Sequence, residues 1–401
     1  MTGLDESVVT EMRVALNSTI ALRTADSRTG VMGAGSDDLE SGLAYLAATA
    51  PGGWHLPSWP QSLGGRGVDD QTADAIDVIR DEYAVPDLYP WLIGTIMVGP
   101  TLLEYGTAEQ QQRWMPPIAD GSEIWCQMFS EPDAGSDLAN VAMRADRDGD
   151  EWTLSGQKVW TSRGSYADWA ICVARSHPEL PKHKGLTMFA VRMDQPGIEV
   201  RTLNQMNGDT HFSEIFFDEV KVSDADRIGS EGDGWKLSLT VLAHERSGGV
   251  ISAGLDLAGL SGPLPGWLAD LQAVGQVAGA VARDRAMKVF VLEKVSAMTA
   301  ARAEAEAERS GTPGPSGSGT KVRNVQVYVA RAQAIKDFSG AAGMLSDSPG
   351  HVEFLTGPSM SIRGGTAEIQ RNIIGERVLG LPGEPRLDRD IAWNEARKGV
   401  L

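Results

Sequence analysis

The stretch that decides the fold occupies residues 361–382 and reads SIRGGTAEIQRNIIGERVLGLP. Two shorter stretches belong with it: FSEPDAGSD at residues 129–137 and GQKVWTS at residues 156–162. Taken singly, each shorter stretch predicts only a turn followed by a strand. Chance is a poor explanation for all three in this order and spacing, so we interpret them as parts of one signature.

Length and composition predict a soluble globular protein of two or three domains. The 401 residues suffice for more than one hydrophobic core. Hydrophobic residues make up 42% and charged residues 22% of the chain, which are ordinary proportions. The net charge of −18 and the lack of a Lys/Arg cluster argue against a nucleic-acid-binding protein. A small anionic ligand stays compatible, because a few local cations or helix N-termini suffice to bind one.

Cysteine usage and hydropathy exclude several other classes. Neither Cys126 nor Cys172 lies in a CxxC pair, so we expect no disulfide framework and no metal site, as in a reducing cytoplasm. The opening residues, MTGLDE, are acidic and do not resemble a secretory signal. The most apolar stretch, residues 87–104, is broken by proline and glycine and is shorter than the ~20 residues of a membrane span. It predicts a buried pair of helices.

The spacing of apolar residues changes twice along the chain. It predicts a helical region at 1–122, a β region at 123–229 and a second helical region at 230–401. In the middle region, period-two and β-branched runs alternate with Asp-Gly, Pro-Gly and Asn-Gly turns. That pattern predicts a compact antiparallel β domain. Its predicted strands lie at residues 152–161, 169–175, 186–193 and 214–222.

Apolar residues at helical spacing predict the helices of the outer regions. We expect helices at residues 39–47, 72–83, 235–246 and 275–309. A further helix has Thr107 as its N-cap, and we expect Pro116-Pro117 to end it. Residues 309–320, rich in Gly, Ser and Pro, predict a flexible linker between two helices rather than a domain boundary.

The three signature stretches together resemble those of the acyl-CoA dehydrogenases, flavoenzymes that desaturate acyl thioesters between Cα and Cβ. The resemblance covers most of the chain and is weakest over the first 40 residues. It implies an α+β fold with an N-terminal helical domain (1–122), a middle β-barrel domain (123–229) and a C-terminal four-helix-bundle domain (230–401). In that fold the ligands sit between the domains.

The resemblance also implies bound FAD and assigns residues to it. Trp160 would stack on the flavin ring, and Ser130 and Ser162 would hydrogen-bond its edge. Family members more often have Thr at both serine positions, but Ser retains the hydroxyl. The alternative for Trp160 is a plain core tryptophan. The remaining cofactor-binding residues implied are Gly135 and Ser136, which would reach the pyrophosphate, together with Phe129, Thr366 and Glu368, an acid where Gln is also common.

Many family members carry the catalytic glutamate at the position of Gly364. Members without it carry the base in a Glu-Arg pair on the first long helix after the β domain, which here is Glu245-Arg246. The resemblance implies that Glu245 abstracts the α-proton, that the Gly364 N–H polarises the thioester carbonyl, and that Ser136 and Arg246 bind substrate. Glycine at 364 also opens space for a bulky or α-branched acyl group. The alternative for Glu245 is a solvated helical glutamate paired with a neighbouring cation.

Two family elements that complete a neighbouring subunit's FAD site are missing. No Arg-x-x-Phe-Gly occurs at residues 264–290, and the run Gln-x-x-Gly-Gly-x-Gly is replaced by DFSGAAG at residues 337–343. This pattern resembles one subunit of the heteromeric actinobacterial α2β2 enzymes that shorten steroid side chains. The partners implied are an acyl-CoA, a homologous subunit or a second copy, and an electron-transfer-flavoprotein-like acceptor. Three alternatives stay open: a homomer that binds FAD by other contacts, a non-catalytic structural subunit, and a flavin monooxygenase on the same fold.

Overall fold

The computed structural model describes residues 4–24, 37–247, 266–273, 275–310, 314–346, 348 and 350–396, without the side chains of residues 246, 247, 270, 273 and 308. The chain forms two compact units. Unit 1 comprises Met1–Asn204, Thr210–His244 and Arg386–Leu401. Unit 2 comprises Gln205–Asp209 and Glu245–Pro385.

Unit 1 begins with helices, as the sequence predicts. They are α1 (Glu6–Asn17), α2 (Leu39–Thr49), α3 (Asp70–Arg80), α4 (Tyr89–Ile93), α5 (Gly99–Tyr105) and α6 (Ala108–Asp120). The predicted N-cap Thr107 is confirmed: its hydroxyl accepts from the Gln110 N–H, and the Gln110 side chain accepts from the Thr107 N–H. This reciprocal pair satisfies two N–H groups that the first turn leaves open.

The expectation that Pro116-Pro117 ends α6 is wrong. The helix passes through both prolines to Asp120 and ends at Gly121, whose φ of 77° suits a glycine C-cap. A proline inside a helix costs about 3 kcal/mol or more. Burial offsets that cost, because the neighbouring side chains are in the core: Trp114, Met115, Ile118 and Ala119.

The apolar stretch predicted as a helix pair is one uninterrupted helical run, in which α4 leads through a π-helical segment, Gly94–Val98, into α5. The Gly99 N–H donates to the carbonyl of Gly94, five residues back. Pro100 has no N–H to donate, and the wider π turn accommodates it. No helix in the described residues is both long and apolar enough to cross a membrane.

In the described residues, eight strands form one sheet: β1 (Trp125–Met128), β2 (Arg144–Asp148), β3 (Glu151–Ser162), β4 (Trp169–Arg175), β5 (Leu186–Arg192), β6 (Ile198–Leu203), β7 (Phe212–Ser223) and β8 (Arg227–Ile228). Their order is β6-β7-β3-β2-β4-β5-β8, with β1 also paired to β4. The prediction of an antiparallel domain needs correction at β4, because both β1 and β2 pair with it in parallel. Every residue of β4 is buried, so it is the hydrophobic centre of the sheet.

A tryptophan cluster packs the helices of unit 1 on the sheet. Trp114 of α6 lies edge-on to Trp125 of β1 and to Trp169 of β4, with ring centroids 5.7 and 5.8 Å apart. Trp125 and Trp169 stack at 5.7 Å. Because all three rings are buried, they hold β1 firmly at the start of the β region.

Helix returns after the sheet, which confirms the helical, β, helical order. Helix α7 (Gly234–Ser247) is followed by α8 (Gly266–Ala273), α9 (Ala280–Ser310), α10 (Gly317–Phe338), α11 (His351–Met360), α12 (Ala367–Ile373) and the short α13 (Trp393–Ala396). The predicted linker 309–320 is shorter than expected, since α10 already begins at Gly317. Buried Glu293 of α9 joins three helices: it accepts from Trp267 of α8 at 2.9 Å and pairs with Arg331 of α10 at 3.9 Å.

Candidate functional site

The predicted cofactor residues of unit 1 are Phe129, Ser130, Gly135, Ser136, Trp160 and Ser162, and we call them the ring set. A buried ion pair, Lys158–Glu131, connects the two segments that carry these residues. The Lys158 ammonium lies 2.8 Å from the Glu131 carboxylate and donates to the Phe129 carbonyl at 3.1 Å. The same carboxylate accepts from the N–H groups of Ala142 and Met143. These bonds fix the segment after β1 against β3.

Trp160 is not a core residue. Its side chain is 60% exposed, and its φ of 61° lies in the left-handed region that bulky residues rarely adopt. The pairing of β3 with β7 is irregular between Lys158 and Thr161, which lets the indole leave the strand. An exposed aromatic ring held in a strained conformation is typical of a binding surface.

Ser130 lies beside this bulge, because the Val159 N–H donates to the Ser130 carbonyl at 3.0 Å. Ser162 is paired with Phe212 of β7, and the Trp160 ring lies edge-on to Phe212 with 6.1 Å between centroids. Within the described residues, the hydroxyls of Ser130 and Ser162 make no hydrogen bond. The structure therefore brings an exposed aromatic ring together with two hydroxyls that can bind a polar ring edge.

Gly135 and Ser136 lie exposed on the loop after β1. A side chain placed on Gly135 would meet no protein atom within 4 Å, so the fold itself does not require glycine there. Glycine would instead permit close approach of a ligand to the backbone. The ring set thus fits a flavin: a stacking wall, free hydroxyls, and an open backbone segment for a diphosphate.

The predicted residues of unit 2 are Glu245, Arg246, Gly364, Thr366 and Glu368, and we call them the base set. Gly364 and Gly365 both adopt left-handed backbone conformations, with φ of 64° and 82°. A glutamate at 364 would be strained there, which explains glycine at this position. No acceptor for the Gly364 N–H lies among the described residues, whereas its carbonyl accepts from Gln370 at 3.2 Å.

Thr366 and Glu368 have local structural roles. The Thr366 hydroxyl is the N-cap of α12 and accepts from the Ile369 N–H at 3.2 Å. Glu368 lies in the first turn of α12, where an acid is favourable, and its exposed carboxylate is 3.5 Å from Arg371. Both residues sit directly after the Gly364-Gly365 turn.

Glu245 lies half-buried in the last turn of α7. Its negative charge lies close enough to interact electrostatically with Lys321 of α10. Lys321 is a buried cation whose ammonium donates to the Met360 carbonyl at 3.2 Å. Burial lowers the pKa of Lys321, and the carboxylates of Glu245 and Glu368 oppose that shift. Glu245 is therefore not a fully solvated helical glutamate. The side chain of Arg246 lies outside the described residues.

Sequence reasoning missed three buried charges that support these residues: Glu131, Lys158 and Lys321. The first two lie inside the quoted signature stretches, and charged residues between buried strand positions could have indicated a paired role. Lys321 carries no comparable signal, because one lysine near the start of a helix resembles many exposed ones. Neither cysteine offers a nucleophile: both are buried and free, and burial raises the pKa of Cys172 to about 11.

Comparisons with known proteins agree with this geometry. Family models match residues 37–122 (acyl-CoA dehydrogenase, N-terminal domain), 126–220 (middle domain) and 232–379 (C-terminal domain). The acyl-CoA dehydrogenase IpdE1 of Mycolicibacterium smegmatis is 34% identical over 362 residues, covering 86% of this chain and 89% of IpdE1. IpdE1 of Mycobacterium tuberculosis is 34% identical, covering 94% of this chain and 99% of that protein.

Solved structures give the same result. The Tcur3481–Tcur3483 steroid ACAD matches with a TM-score of 0.76 and 26% identity, covering 94% of this chain and 97% of that one. The ChsE4–ChsE5 complex from Mycobacterium tuberculosis matches with a TM-score of 0.72 and 27% identity, covering 95% and 99%. Since family models span most of its length and full-length relatives exceed 30% identity, the chain belongs to the acyl-CoA dehydrogenase family, whose activity is flavin-dependent dehydrogenation of acyl-CoA thioesters.

Proposed function

We propose that this chain desaturates an acyl-CoA thioester between Cα and Cβ, with FAD as its flavin and Glu245 as its base. The observation that carries the proposal is that unit 2 contains both a half-buried carboxylate, Glu245, close enough to act on buried Lys321, and a left-handed Gly364 whose N–H has no acceptor in the described residues. A general base must be a carboxylate that the substrate can reach and that is not fully surrounded by water, and the intermediate exposure of Glu245 meets that requirement.

The ring set would hold the cofactor. A flavin bound there would supply the acceptor for the hydride that leaves the substrate Cβ. The exposed Trp160 supplies a stacking surface, and the free hydroxyls of Ser130 and Ser162 supply donors for the ring edge. Gly135 and Ser136 would bind the pyrophosphate through the backbone and a hydroxyl, which needs no positive charge. The cofactor contacts proposed besides these are Phe129, Thr366 and Glu368.

The base set would carry the proton chemistry. Glu245, as a carboxylate, would take the α-proton and become a carboxylic acid, and the electron pair of that C–H bond would form the new Cα–Cβ double bond as the hydride leaves Cβ. The Gly364 N–H donates to the thioester carbonyl as negative charge develops on its oxygen. Ser136 and Arg246 bind the CoA ester. A glycine at 364 leaves volume beside the acyl chain, which favours a bulky or branched acyl group.

The first test is Glu245→Gln. This variant should retain FAD and acyl-CoA binding, because the side chain keeps its size. The rate of anaerobic flavin reduction by an acyl-CoA, measured as the loss of flavin absorbance, should fall about 10²–10⁴-fold, since removing a general base has this effect. Exposed Glu304 of α9 provides the matched control, and Glu304→Gln should reduce at the normal rate. Near-normal reduction by Glu245→Gln would place the base elsewhere.

The same experiment separates the alternatives. A protein without flavin under every expression condition would be a structural subunit. Bleaching by NAD(P)H with oxygen consumption, in place of bleaching by acyl-CoA, would indicate a monooxygenase.

We further infer that the chain works with a homologous acyl-CoA dehydrogenase subunit and passes electrons to an electron-transfer-flavoprotein-like acceptor. The missing Arg-x-x-Phe-Gly and the DFSGAAG at 337–343 support the first inference. In the structure this run ends α10 and forms a 3-10 turn, and Asp337 pairs with Arg285 at 3.1 Å within unit 2. Since Asp337 pairs within its own unit, we expect residues 337–343 to contribute little to binding the adenosine end of FAD in a neighbouring subunit. Two of the matching structures, Tcur3481–Tcur3483 and ChsE4–ChsE5, carry two differently named chains.

A further inference from the structure

After Glu245–Pro385 the chain returns to unit 1, and we call the returning residues 386–396 the strap. The strap lies along the β4–β5 connection, residues 176–185. The backbone N–H of Trp393 donates to the Leu180 carbonyl at 2.9 Å, and a neighbouring bridge pairs the two segments antiparallel. The strap is therefore fixed to the β domain by its backbone.

Beneath the strap lies Arg175, the last residue of β4, which is 2% exposed. Its guanidinium donates to the carbonyls of Ala139 and Val141 at 2.6 and 3.0 Å, and to the carbonyl of Lys182 at 2.8 Å. Ala139 and Val141 end the loop 133–141, which we call the phosphate loop because it carries Gly135 and Ser136. One buried cation thus joins the phosphate loop to the β4–β5 connection.

Trp393 of the strap contacts both Arg175 and the phosphate loop. Its indole lies over the Arg175 guanidinium, with 4.6 Å between Cζ and the ring centroid. Its Nε1–H donates to the Asn140 side-chain oxygen at 2.8 Å. The same side chain therefore covers the cation and binds the loop directly.

Lys182 forms a second link on the same face. Its ammonium lies 2.7 Å from the Asp388 carboxylate of the strap and 3.0 Å from that of Asp137, the residue after Ser136. The hydrogen bond from Lys182 lowers the pKa of Asp388, so the pair is ionised at neutral pH. The strap thus reaches the phosphate loop at both ends, at Asp137 through Lys182 and at Asn140 through Trp393.

We propose that the strap is a positioning element for the phosphate loop, with Trp393 and Asp388 as its positioning residues. The proposal rests on the proposed function, since it takes Gly135 and Ser136 as contacts of the FAD pyrophosphate. Within the loop, Ala134 is bonded to Glu131 and residues 138–140 form a 3-10 turn, but residues 135–137 between them are exposed. A loop ordered before binding spares the ligand the free energy of ordering it.

The contacts of the strap are directed and polar rather than a hydrophobic cover. Leu387, an apolar residue at its start, is 77% exposed and adds nothing to a core. Asp390 is also exposed, in contrast to the half-buried Asp388 two residues earlier. This contrast offers a matched pair of carboxylates within one segment.

The experiment compares full-length Asp388→Asn with Asp390→Asn, and Trp393→Ala with Trp393→Phe. Hydrogen–deuterium exchange of the cofactor-free protein is followed in peptides covering 133–142, with α10 peptides as internal reference. FAD titration then gives the dissociation constant. Trp393→Phe keeps a ring over Arg175 but loses the bond to Asn140, so it should fall between wild type and Trp393→Ala.

We expect faster exchange at 133–142 and an about tenfold higher FAD dissociation constant in Asp388→Asn and Trp393→Ala, because apparent affinity falls with the populated fraction of the competent loop. Asp390→Asn should match wild type in both. Faster exchange with an unchanged dissociation constant, or uniformly faster exchange including α10, would overturn the positioning role. A wild-type protein that binds FAD but is not reduced by acyl-CoA would contradict the proposed function. The exchange rates at 133–142 would then still show whether the strap positions the phosphate loop.

Discussion

At the scale of single residues, Trp160 departs furthest from ordinary strand structure. Because its side chain is 60% exposed, Trp160→Ala should change the free energy of unfolding by less than about 1 kcal/mol. Trp152 of the same strand is 1% exposed, and Trp152→Ala should cost about 3–5 kcal/mol. The two are compared by chemical unfolding of the cofactor-free protein.

The Trp160→Ala variant should also bind FAD about two- to tenfold more weakly, since aromatic stacking is worth about 0.5–1.5 kcal/mol beyond area burial. Flavin titration measures this. A large loss of stability with normal FAD affinity would return Trp160 to the hydrophobic core.

The conformation of Trp160 could not be predicted from the sequence. The local residues Val159, Trp160 and Thr161 are β-branched or aromatic, which predicts regular strand. The bulge arises where β3 meets β7, whose pairing residues lie more than fifty positions later in the chain. By contrast, Gly364 could be interpreted locally, because a paired glycine before a Thr N-cap is typical of a left-handed turn entering a helix.

At the scale of elements, α12 depends on its cap. Thr366→Val removes the hydroxyl that accepts from the Ile369 N–H, and loss of an N-cap costs about 0.5–2 kcal/mol. We expect faster hydrogen–deuterium exchange at residues 367–378 in this variant. Thr366→Ser keeps the hydroxyl and should exchange like wild type. Unchanged exchange in Thr366→Val together with weaker FAD binding would make Thr366 a cofactor contact without a capping role.

Prediction of elements succeeded where the local pattern agreed with the tertiary packing. β4 was predicted to the residue, because all seven of its positions are buried and apolar packing ends where the turn begins. α6 was cut short, because propensity marks Pro116 as a terminator while burial of Ile118 and Ala119 carries the helix on. β1, β2, β6 and β8 were missed, since each spans only two to six residues and gives too short an alternating pattern to stand out.

At the scale of the whole molecule, the missing neighbour elements predict how FAD occupancy depends on a partner. Expressed alone, the chain should bind FAD poorly, because charge-assisted hydrogen bonds at the adenosine end are each worth about 1.5–3 kcal/mol. Co-expression with a homologue that supplies Arg-x-x-Phe-Gly should restore occupancy. Flavin absorbance per chain and native mass measure the outcome. A homo-oligomer with full FAD occupancy would contradict the heteromeric assembly and leave the dehydrogenase activity intact.

The candidate site could be predicted residue by residue but not as an arrangement. The signature stretches and the Glu245-Arg246 pair indicated the ring set and the base set. Two of their supports come from other parts of the chain: Lys321 from α10, and the strap from the residues after Pro385. No local pattern around Trp393 indicates that its partners are Asn140 and Arg175. Long-range packing alone fixes such pairs.

The return of the strap to unit 1 has a consequence for biosynthesis. Chains emerge from the ribosome in order, and domains begin to fold as they appear. Unit 1 cannot be completed before unit 2 is made. Its β sheet emerges early, but Asp388 and Trp393 are translated only after the whole of Glu245–Pro385. The nascent β domain therefore has its contacts from Arg175 and Lys182 before it has those of the strap, and if the strap orders the phosphate loop, FAD binding reaches full strength only when residues 386–396 have been made. Premature termination inside unit 2 would leave the β sheet without Asp388 and Trp393, and therefore without either contact of the strap.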